Sequence, residues 1–529
     1  MIDARPHAGS RRWTSGCGIR FRQRLVNTIG GTSMSTVLPD YDTIIVGAGF
    51  SGIGMAIKLD EAKLGHYLLI ESGDDVGGTW NWNTYPGVAV DIPSAAYQFS
   101  FEQRRDWSRT YAPGRELKAY AVHCVDKYGI RPKIRLNTAV LGAEFDSERS
   151  LWRVHTDQAE DLTARYLINT VGLLSVPQLP DIAGLDNFGG TTMHTARWDH
   201  TQDLIGKRVA VIGTGSSAIQ VIPEIAPLVA QLNVFQRTPT WCFPKFDVPL
   251  PTVARWAMRL PGVKTMFRLI GQIYVEGTFV LPAQFYTVFP LSKWMAWAAR
   301  GYLRLQVRDP TVRKKLTPSY PIGCKRPGFH NRYLMTFNRR NVRLVTEPID
   351  KVTSSAVTTT DGASLDVDVL VLATGFKVFD TGDNLPTFTI TGVGGRSLAR
   401  FWDEHRLQAY EGVSMPGFPN LFGIFGPYGY VGGSYFALIE SQAHHIVRCL
   451  TRARRECATR IEITDAANAR FFSEMMRRRR RQVFWQGGCR SANSAYFDKH
   501  GDVLFRPTST MELCWRSRRF DLDDYRFTA

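Results

Sequence analysis

Residues 43–52 have the sequence Thr-Ile-Ile-Val-Gly-Ala-Gly-Phe-Ser-Gly, which predicts an apolar strand followed by a glycine-rich loop. The apolar pattern then predicts a helix over Ile53–Leu64 and a second strand over Leu68–Ile70, which ends at Glu71. In this order of elements a G-x-G-x-x-G loop binds a dinucleotide, because its backbone can approach a pyrophosphate at the helix N-terminus. Glu71 can accept hydrogen bonds from a ribose diol. The candidate contacts are Gly47, Gly49, Phe50, Ser51, Gly52 and Glu71.

A second loop of this kind, Gly-Thr-Gly-Ser-Ser-Ala over residues 213–218, follows the predicted strand Val209–Ile212. The next strand, Leu232–Phe235, leads to Arg237 and not to an acid. An arginine here can pair with a 2′-phosphate, which favours NADPH over NADH. Each loop is followed by a later strand that ends in Thr-x-Gly or Thr-Gly, so one dinucleotide-binding module is used twice. The second set of candidate contacts is Gly213, Thr214, Gly215, Ser216, Ser217, Gln220, Arg237, Thr238, Thr374 and Gly375.

Residues 245–318 form an aromatic, proline-punctuated insert in the second module, for which we predict helices. Its stretch Gly277–Ser292 carries no charge, but Pro282 and Pro290 interrupt it, so it is too short and too broken to span a bilayer. Two interpretations remain open. The insert forms core helices or lines an apolar substrate pocket, or it contacts a membrane surface from which a lipophilic substrate is drawn.

The net charge of +17 does not indicate a nucleic-acid partner. Residues 1–33 contribute +5 of it, and Arg477–Arg481 concentrate five more charges in a run typical of a solvated helix face. No nucleic-acid-binding motif accompanies these residues. Such a charge affects solubility and attraction to anions, not the fold.

The eight cysteines are scattered, with no C-x-x-C pair and no metal-ligand spacing. This pattern indicates free thiols in a reducing cytosol and no structural zinc. It also argues against a flavin disulfide reductase, which needs a C-x-x-C after the first module. The histidines form no ligand cluster either, so we predict a cytoplasmic protein without a metal.

Residues 188–199, FGGTTMHTARWD, lie between the two glycine loops and show neither a helical nor a strand period. Physical reasoning alone predicts an ordered domain connection. The segment, however, resembles the signature F-x-G-x-x-x-H-x-x-x-W-[P/D] of flavin-dependent Baeyer–Villiger monooxygenases. Its fixed positions are filled by Phe188, Gly190, His194, Trp198 and Asp199. The related N- and S-oxygenating flavin monooxygenases have Phe or Tyr where this chain has Trp198, and they remain the alternative.

Two further segments resemble this family. The GGTW and YPG motifs and a following carboxylate lie along FAD in the family; their residues here include Gly78, Thr79, Trp80, Tyr85 and Asp91. The G-x-K-R-P element occurs at Gly323–Pro327, which implies that Arg326 is the active-site arginine and Lys325 a contact to the NADP phosphate. The chain departs from the family in lacking a basic residue just before Asp91 and an acidic residue after K-R-P. The C-terminal stretches Gly487–Ser491 and Tyr496-Phe497-Asp498 also look similar to the family, and we expect them to pack near the active site without an assignable role.

The resemblance implies an α/β fold with two Rossmann-like domains, one for FAD and one for NADP. It implies that NADPH reduces FAD, that the reduced flavin adds O2 as a C4a-peroxyflavin, and that one oxygen is inserted next to the carbonyl of an apolar ketone. Arg326 would stabilise the anionic peroxide and the adduct, and Asp91 would hold Arg326. His194 and Trp198 would couple the two domains.

The predicted domain organisation follows from these segments. Residues 1–35 are a disordered tail or an incorrectly assigned start, and 245–318 are the helical insert. The FAD-binding domain comprises residues 36–178 and 381–529, and the NADP-binding domain comprises 179–244 and 319–380.

Overall fold

The computed structural model describes residues 38–159, 161–289, 291–378 and 387–529. Two predictions, the tail over residues 1–35 and the domain boundary between 380 and 381, lie outside the described residues. The strands are β1 (Tyr41–Val46), β2 (Tyr67–Ile70), β3 (Ile134–Arg135), β4 (Val140–Asp146), β5 (Leu151–Thr156), β6 (Asp161–Asn169), β7 (Thr191–His194), β8 (Arg208–Ile212), β9 (Gln231–Phe235), β10 (Cys242–Phe243), β11 (Gly328–Phe329), β12 (Val342–Val345), β13 (Ile349–Val352), β14 (Ala356–Thr359), β15 (Ser364–Asp366), β16 (Val369–Leu372), β17 (Thr389–Thr391), β18 (Leu421–Gly423), β19 (Arg460–Ile463) and β20 (Tyr525–Thr528).

The helices follow the glycine loops, the insert and the C-terminal third of the chain. They are α1 (Phe50–Glu61), α2 (Thr79–Trp82), α3 (Gly114–Lys127), α4 (Ser216–Ile225), α5 (Thr252–Ala257), α6 (Val263–Val275), α7 (Leu281–Gln284), α8 (Leu291–Gln306), α9 (Pro310–Lys315), α10 (Tyr333–Thr336), α11 (Leu398–His405), α12 (Tyr435–Glu456), α13 (Asp465–Arg478) and α14 (Thr510–Arg519). A π-helical turn, Glu276–Val280, joins α6 to α7. None of these helices combines the length and apolar character needed to cross a bilayer.

The first sheet has the strand order β17-β4-β5-β6-β1-β2-β3, with β18 also paired to β6. Strand β1 runs parallel to both β2 and β6, and its apolar residues Ile44 and Ile45 are fully buried. Helix α1 follows β1 and packs against α12 from the C-terminal part of the chain. The C-terminal strands β17 and β18 therefore complete the module that the first glycine loop begins.

The second sheet is parallel throughout, with the order β12-β9-β8-β16-β7. Strand β8 precedes the second glycine loop, and α4 follows the loop. Strands β8 and β16 are buried apart from Arg208 at the start of β8, as expected for a parallel sheet that is covered on both faces. The chain thus contains two Rossmann-like modules.

The signature segment contains a strand that its sequence does not predict. β7 pairs with β16, Thr191 opposite Val369 and His194 opposite Leu372, and forms the edge of the second sheet. Four residues are too few for a strand period to be recognised, and the pairing comes from a distant part of the chain. The expectation of a segment without regular structure is therefore wrong for Thr191–His194.

One pair of cysteines also differs from the sequence prediction. Cys324 and Cys489 form a disulfide, with Cα atoms 5.2 Å apart, whereas Cys124, Cys242 and Cys449 are buried thiols. The disulfide joins the K-R-P element to the C-terminal segment. The prediction of thiols alone is wrong for this pair because its members are far apart in sequence. The part of the chain that the structure describes contains no group of three or more residues arranged to hold a metal.

Candidate active site

A cavity of about 1260 Å³ lies between the two modules and is lined by residues of both glycine loops. The predicted site residues on its wall from the first module are Gly47, Gly49, Phe50, Ser51, Glu71, Gly78, Thr79, Trp80, Tyr85 and Asp91. Those from the second module are Gly215, Ser216, Ser217, Gln220, Arg237, Arg326, Thr374 and Gly375. Its volume exceeds that of a typical pocket for one small ligand, so two ligands fit in one site.

The first loop has the backbone that close approach of a dinucleotide requires. Gly47 has a φ of +101°, and a Cβ atom on Gly52 would lie 1.9 Å from the Gly47 carbonyl oxygen. Gly52 does not line the cavity but lets α1 begin directly against the loop. A Cβ atom on Gly78, at a φ of +52°, would lie 2.9 Å from the Gly49 Cα. The cavity wall here is bare backbone, which fits FAD.

Glu71 is buried and holds the loop as well as facing the cavity. Its Oε2 accepts a hydrogen bond from the Ala48 amide at 2.7 Å, and its Oε1 accepts one from the Gly73 amide at 2.8 Å. A carboxylate has about four acceptor positions, and the Ser72 hydroxyl also donates to Oε1 at 3.4 Å, so one position remains for a ribose hydroxyl. The predicted role of Glu71 is compatible with this geometry.

The second loop is fixed by hydrogen bonds to the segment after β9. Gly213 has a φ of +119°, and the Thr214 hydroxyl donates to the Thr238 carbonyl at 3.0 Å. The Thr214 carbonyl in turn accepts from the Thr240 hydroxyl at 2.8 Å. Gly213, Thr214 and Thr238 therefore shape the loop from behind and do not line the cavity.

Gln220 connects the modules. Its Oε1 accepts a hydrogen bond from the Tyr85 hydroxyl at 2.9 Å, and its Nε2 donates to the Ala89 carbonyl at 2.8 Å. Burial raises the pKa of Tyr85 to about 12, so the phenol stays a donor. Gln220 thus anchors the segment that leads to Asp91 onto α4.

Arg237 and Lys325 form a cationic corner. Arg237 lines the cavity, and Lys325 lies close enough for their charges to repel. Neither cation has a carboxylate within 4.0 Å among the described residues. Burial, with the Arg237 charge adding to it, lowers the pKa of Lys325 to about 8. Lys325 itself does not line the cavity, whereas Arg237 does.

Asp91 and Arg326 meet as the resemblance implies. The guanidinium Nε donates to Asp91 Oδ2 at 2.6 Å, and Nη2 donates to Oδ1 at 2.8 Å. The two side chains are 23% and 24% exposed, and both line the cavity. Burial raises the pKa of Asp91, but Arg326 outweighs this effect and holds that pKa below its ordinary value. The bidentate geometry fixes the cation in one orientation.

Two residues from beyond the second glycine loop, Lys245 and Phe279, act on the Asp91–Arg326 pair. Lys245 is buried, its Nζ lies 5.0 Å from the Tyr111 ring centroid, and its charge also lowers the pKa of Asp91. Phe279 supports Arg326 from below, with the guanidinium carbon 4.3 Å from its ring centroid.

The C-terminal segment contributes residues to the cavity wall, although sequence reasoning assigned them no role. Tyr496 and Asn493 line the cavity, as does Tyr430, which precedes α12. Burial raises the pKa of both tyrosines, although the Arg326 charge opposes it. The Asn493 amide donates to the Thr238 hydroxyl at 3.0 Å and so connects this segment to the second module. The Tyr-Phe-Asp motif was visible in the sequence, but the groups that its residues lie beside were not.

The signature segment contacts the first module through other residues than expected. The Arg197 guanidinium lies 3.8 Å from the Trp82 ring centroid, and His200 Nε2 is 2.9 Å from the Thr84 hydroxyl. His194 is buried at the end of β7, where burial lowers its pKa, and Trp198 packs on the core of the second module. The contacts of this segment with the first module therefore come from Arg197 and His200, and the coupling role of His194 and Trp198 stays a prediction.

Comparison with known proteins identifies the family. A sequence profile described as pyridine nucleotide-disulphide oxidoreductase matches residues 44–255. The chain is 37% identical over 490 residues to a Baeyer–Villiger monooxygenase of Pseudomonas aeruginosa, which covers 92% of this chain and 91% of that one. The chain belongs to the Baeyer–Villiger monooxygenase family.

Solved structures of Baeyer–Villiger monooxygenases share the whole fold. The crystal structure of OTEMO in complex with FAD and NADP matches with a TM-score of 0.82 and 30% identity, over 93% of this chain and all of that one. A closed crystal structure of cyclohexanone monooxygenase matches with a TM-score of 0.82 and 30% identity, over 92% and 99% of the two chains. The predicted family, fold class, enzyme class and cofactor pair are confirmed, and no match favours N- or S-oxygenation.

Proposed function

We propose that Arg326 and Asp91 are the catalytic pair of this Baeyer–Villiger monooxygenase and that its substrate is an apolar ketone, converted to an ester or lactone. The observation that supports this assignment is the bidentate Arg326–Asp91 pair on the wall of a cavity that both glycine loops line. A heteroatom oxygenation would not need a fixed cation at this position. The cytoplasmic location remains a prediction.

The residues described above suit two cofactors. Gly47, Gly49 and Gly78 would let FAD lie against backbone, with Glu71 accepting from its ribose. Gly215–Ser217 at the start of α4 and the Arg237–Lys325 corner would hold NADPH, with Arg237 at the 2′-phosphate. In this proposal residues 36–178 and 381–529 form the FAD domain, and 179–244 and 319–380 form the NADP domain around the insert 245–318.

Bound FAD, once reduced by NADPH, supplies the oxygen atom from O2. The protein supplies position and charge. Asp91 holds the Arg326 guanidinium toward the cavity, where the cation stabilises negative charge as it develops on the reacting oxygen and on the carbonyl adduct. Tyr430 and Tyr496 stay protonated beside it, because burial raises the pKa of each phenol. They can donate hydrogen bonds to the same anion.

A purified holoenzyme tested with ketones, aldehydes and sulfides checks the proposal. With NADPH and isotopically labelled O2, the ketone product should be an ester or lactone that carries one labelled oxygen. A parallel assay without NADPH is the control. Oxidation of sulfides with no conversion of any ketone would contradict the assignment.

A further inference from the structure

Helix α6 turns its apolar face away from the body of the protein. Its apolar residues Met266, Leu269, Ile270 and Ile273 have the i, i+3, i+4, i+7 spacing of one helix face and are 51–63% exposed. In a surface helix such a stripe normally packs on the core. Here the stripe points away from it.

The opposite, polar face of α6 makes the contacts with the body of the protein. Lys264 donates to the Gln103 carbonyl at 3.3 Å, Arg268 donates to the Gln98 carbonyl, and Gln272 donates to the Ala96 carbonyl at 3.5 Å. These three side chains are four residues apart and therefore lie on one face. Specific hydrogen bonds thus fix the orientation of α6. Its apolar stripe faces outward for that reason, and not because the helix is loosely attached.

Neighbouring helices of the insert repeat this pattern. On and after α5, Val253, Trp256 and Leu260 are exposed at i, i+3 and i+7, and Trp294 and Trp297 of α8 are 70% and 74% exposed. Large apolar side chains exposed in such number on one segment indicate an interaction surface. None of the described residues in 245–289 and 291–318 lines the large cavity, so this surface is not a wall of that site.

The charges of residues 251–308 indicate which kind of partner fits this surface. Residues 251–308 contain eight Lys and Arg and one acid, Glu276, which accepts a hydrogen bond from the Thr510 amide. Arg255, Arg259, Lys293, Arg300 and Arg304 are exposed and have no carboxylate within 4.0 Å among the described residues. A second copy of this surface would bring like charges together, and residues 1–33 carry +5 themselves, so neither is complementary to it.

We infer that the outward faces of α5, α6 and α8 form a binding surface for the anionic headgroup region of a lipid bilayer. Exposed Leu, Ile and Met side chains would enter the boundary of the acyl chains, the tryptophans would lie at headgroup level, and the arginines would contact lipid phosphates. The helices lie on the membrane and do not cross it. This inference does not depend on the residue roles proposed above.

Sedimentation of the full-length holoenzyme with vesicles tests the inference. The protein should bind vesicles of phosphatidylcholine mixed with phosphatidylglycerol, bind pure phosphatidylcholine more weakly, and dissociate as salt is raised. The double variant Ile270→Gln/Ile273→Gln should lower the vesicle partition coefficient about tenfold or more. The matched control is Ile205→Gln/Leu228→Gln, two residues as exposed but outside the insert, which should bind as the wild type does.

A charge variant separates the electrostatic contribution. Arg255→Glu/Arg259→Glu should lose binding to anionic vesicles, whereas Arg339→Glu/Arg340→Glu, exposed elsewhere, should lose much less. Retained FAD content and NADPH oxidation in each variant would show that the fold is intact. Failure of the wild type to bind, or equal losses in test and control variants, would overturn the inference. A dimer in vesicle-free solution that Ile270→Gln/Ile273→Gln separates would instead make the surface an interface between copies.

Discussion

Lys325 and Arg326 are neighbours in the chain, yet their side chains lie in opposite electrostatic surroundings. Arg326 has a bidentate carboxylate, Asp91, and an aromatic ring beneath it. Burial lowers the pKa of Arg326, but the Asp91 charge outweighs this and raises it. Lys325 has no carboxylate within 4.0 Å among the described residues, and burial together with Arg237 lowers its pKa to about 8.

Arg326 therefore carries a permanent charge, whereas the charge of Lys325 is conditional on the pH and on a bound anion. The protein neutralises and orients Arg326 itself, so the cation is present before any substrate arrives. In the corner of Lys325 and Arg237 the Lys325 charge depends on the pH, because burial and the neighbouring unpaired cation both lower its pKa, and an external anion would stabilise the charge. One site is suited to chemistry and the other to recognising a phosphate.

Removing the permanent charge should have the largest effect. Arg326→Ala should lower ester formation by about a hundred- to thousandfold, because the developing oxyanion loses its cation. NADPH oxidation should continue, with hydrogen peroxide as the product, and the two can be measured together. Arg326→Lys keeps a charge without the bidentate contact, so its rate of ester formation should lie between those of Arg326→Ala and the wild type. Near-normal ester formation in Arg326→Ala would refute the assigned role.

Removing the carboxylate should have a smaller effect. In Asp91→Asn the cation remains but loses its fixed orientation, so ester formation should fall about ten- to a hundredfold. The double variant with Arg326→Ala should be little worse than Arg326→Ala alone, since residues that act as a unit are not additive. Multiplicative losses in ester formation would mean that Asp91 acts independently of Arg326.

Removing a cation from the corner of Arg237 and Lys325 should change the choice of cofactor and leave oxygen insertion unchanged. Arg237→Ala should raise the KM for NADPH about ten- to a hundredfold, because a charge-assisted hydrogen bond is worth about 1.5–3 kcal/mol. The KM for NADH and the yield of ester per NADPH consumed should stay unchanged. Equal losses with both nucleotides would show that Arg237 does not contact the 2′-phosphate.

The smallest expected effect is a pH dependence. The lowered pKa of Lys325, about 8, means that its charge is present below this pH and lost as the pH rises through it. The KM for NADPH should therefore rise about tenfold between about pH 7 and 9, and the KM for NADH should not. Lys325→Arg should abolish the rise, because arginine stays charged. A rise that persists in Lys325→Arg would assign the titration to another group.

The sequence by itself determined the parts of this protein that depend only on residues close together in the chain. Gly47, Gly52 and Gly213 stand where positive φ or close backbone approach excludes a side chain, so the two loops were predictable from their own residues. Glu71 and Arg237 follow equivalent strands, and the prediction that they select FAD and NADPH rests on the same kind of local information. The resemblance added Asp91 and Arg326, which the structure brings together.

The tertiary structure decided what depends on distant partners. β7 is a strand because β16 lies beside it, and Tyr496 reaches the cavity because the C-terminal segment folds across it. The charge of Lys245, which is far from Asp91 in sequence, acts on Asp91 in the folded chain. The outward orientation of Ile270 and Ile273 on α6 depends on carbonyl groups of the first module, which hold the polar face of the helix inward. No local pattern carries such information, because it depends on which surfaces of the folded chain meet.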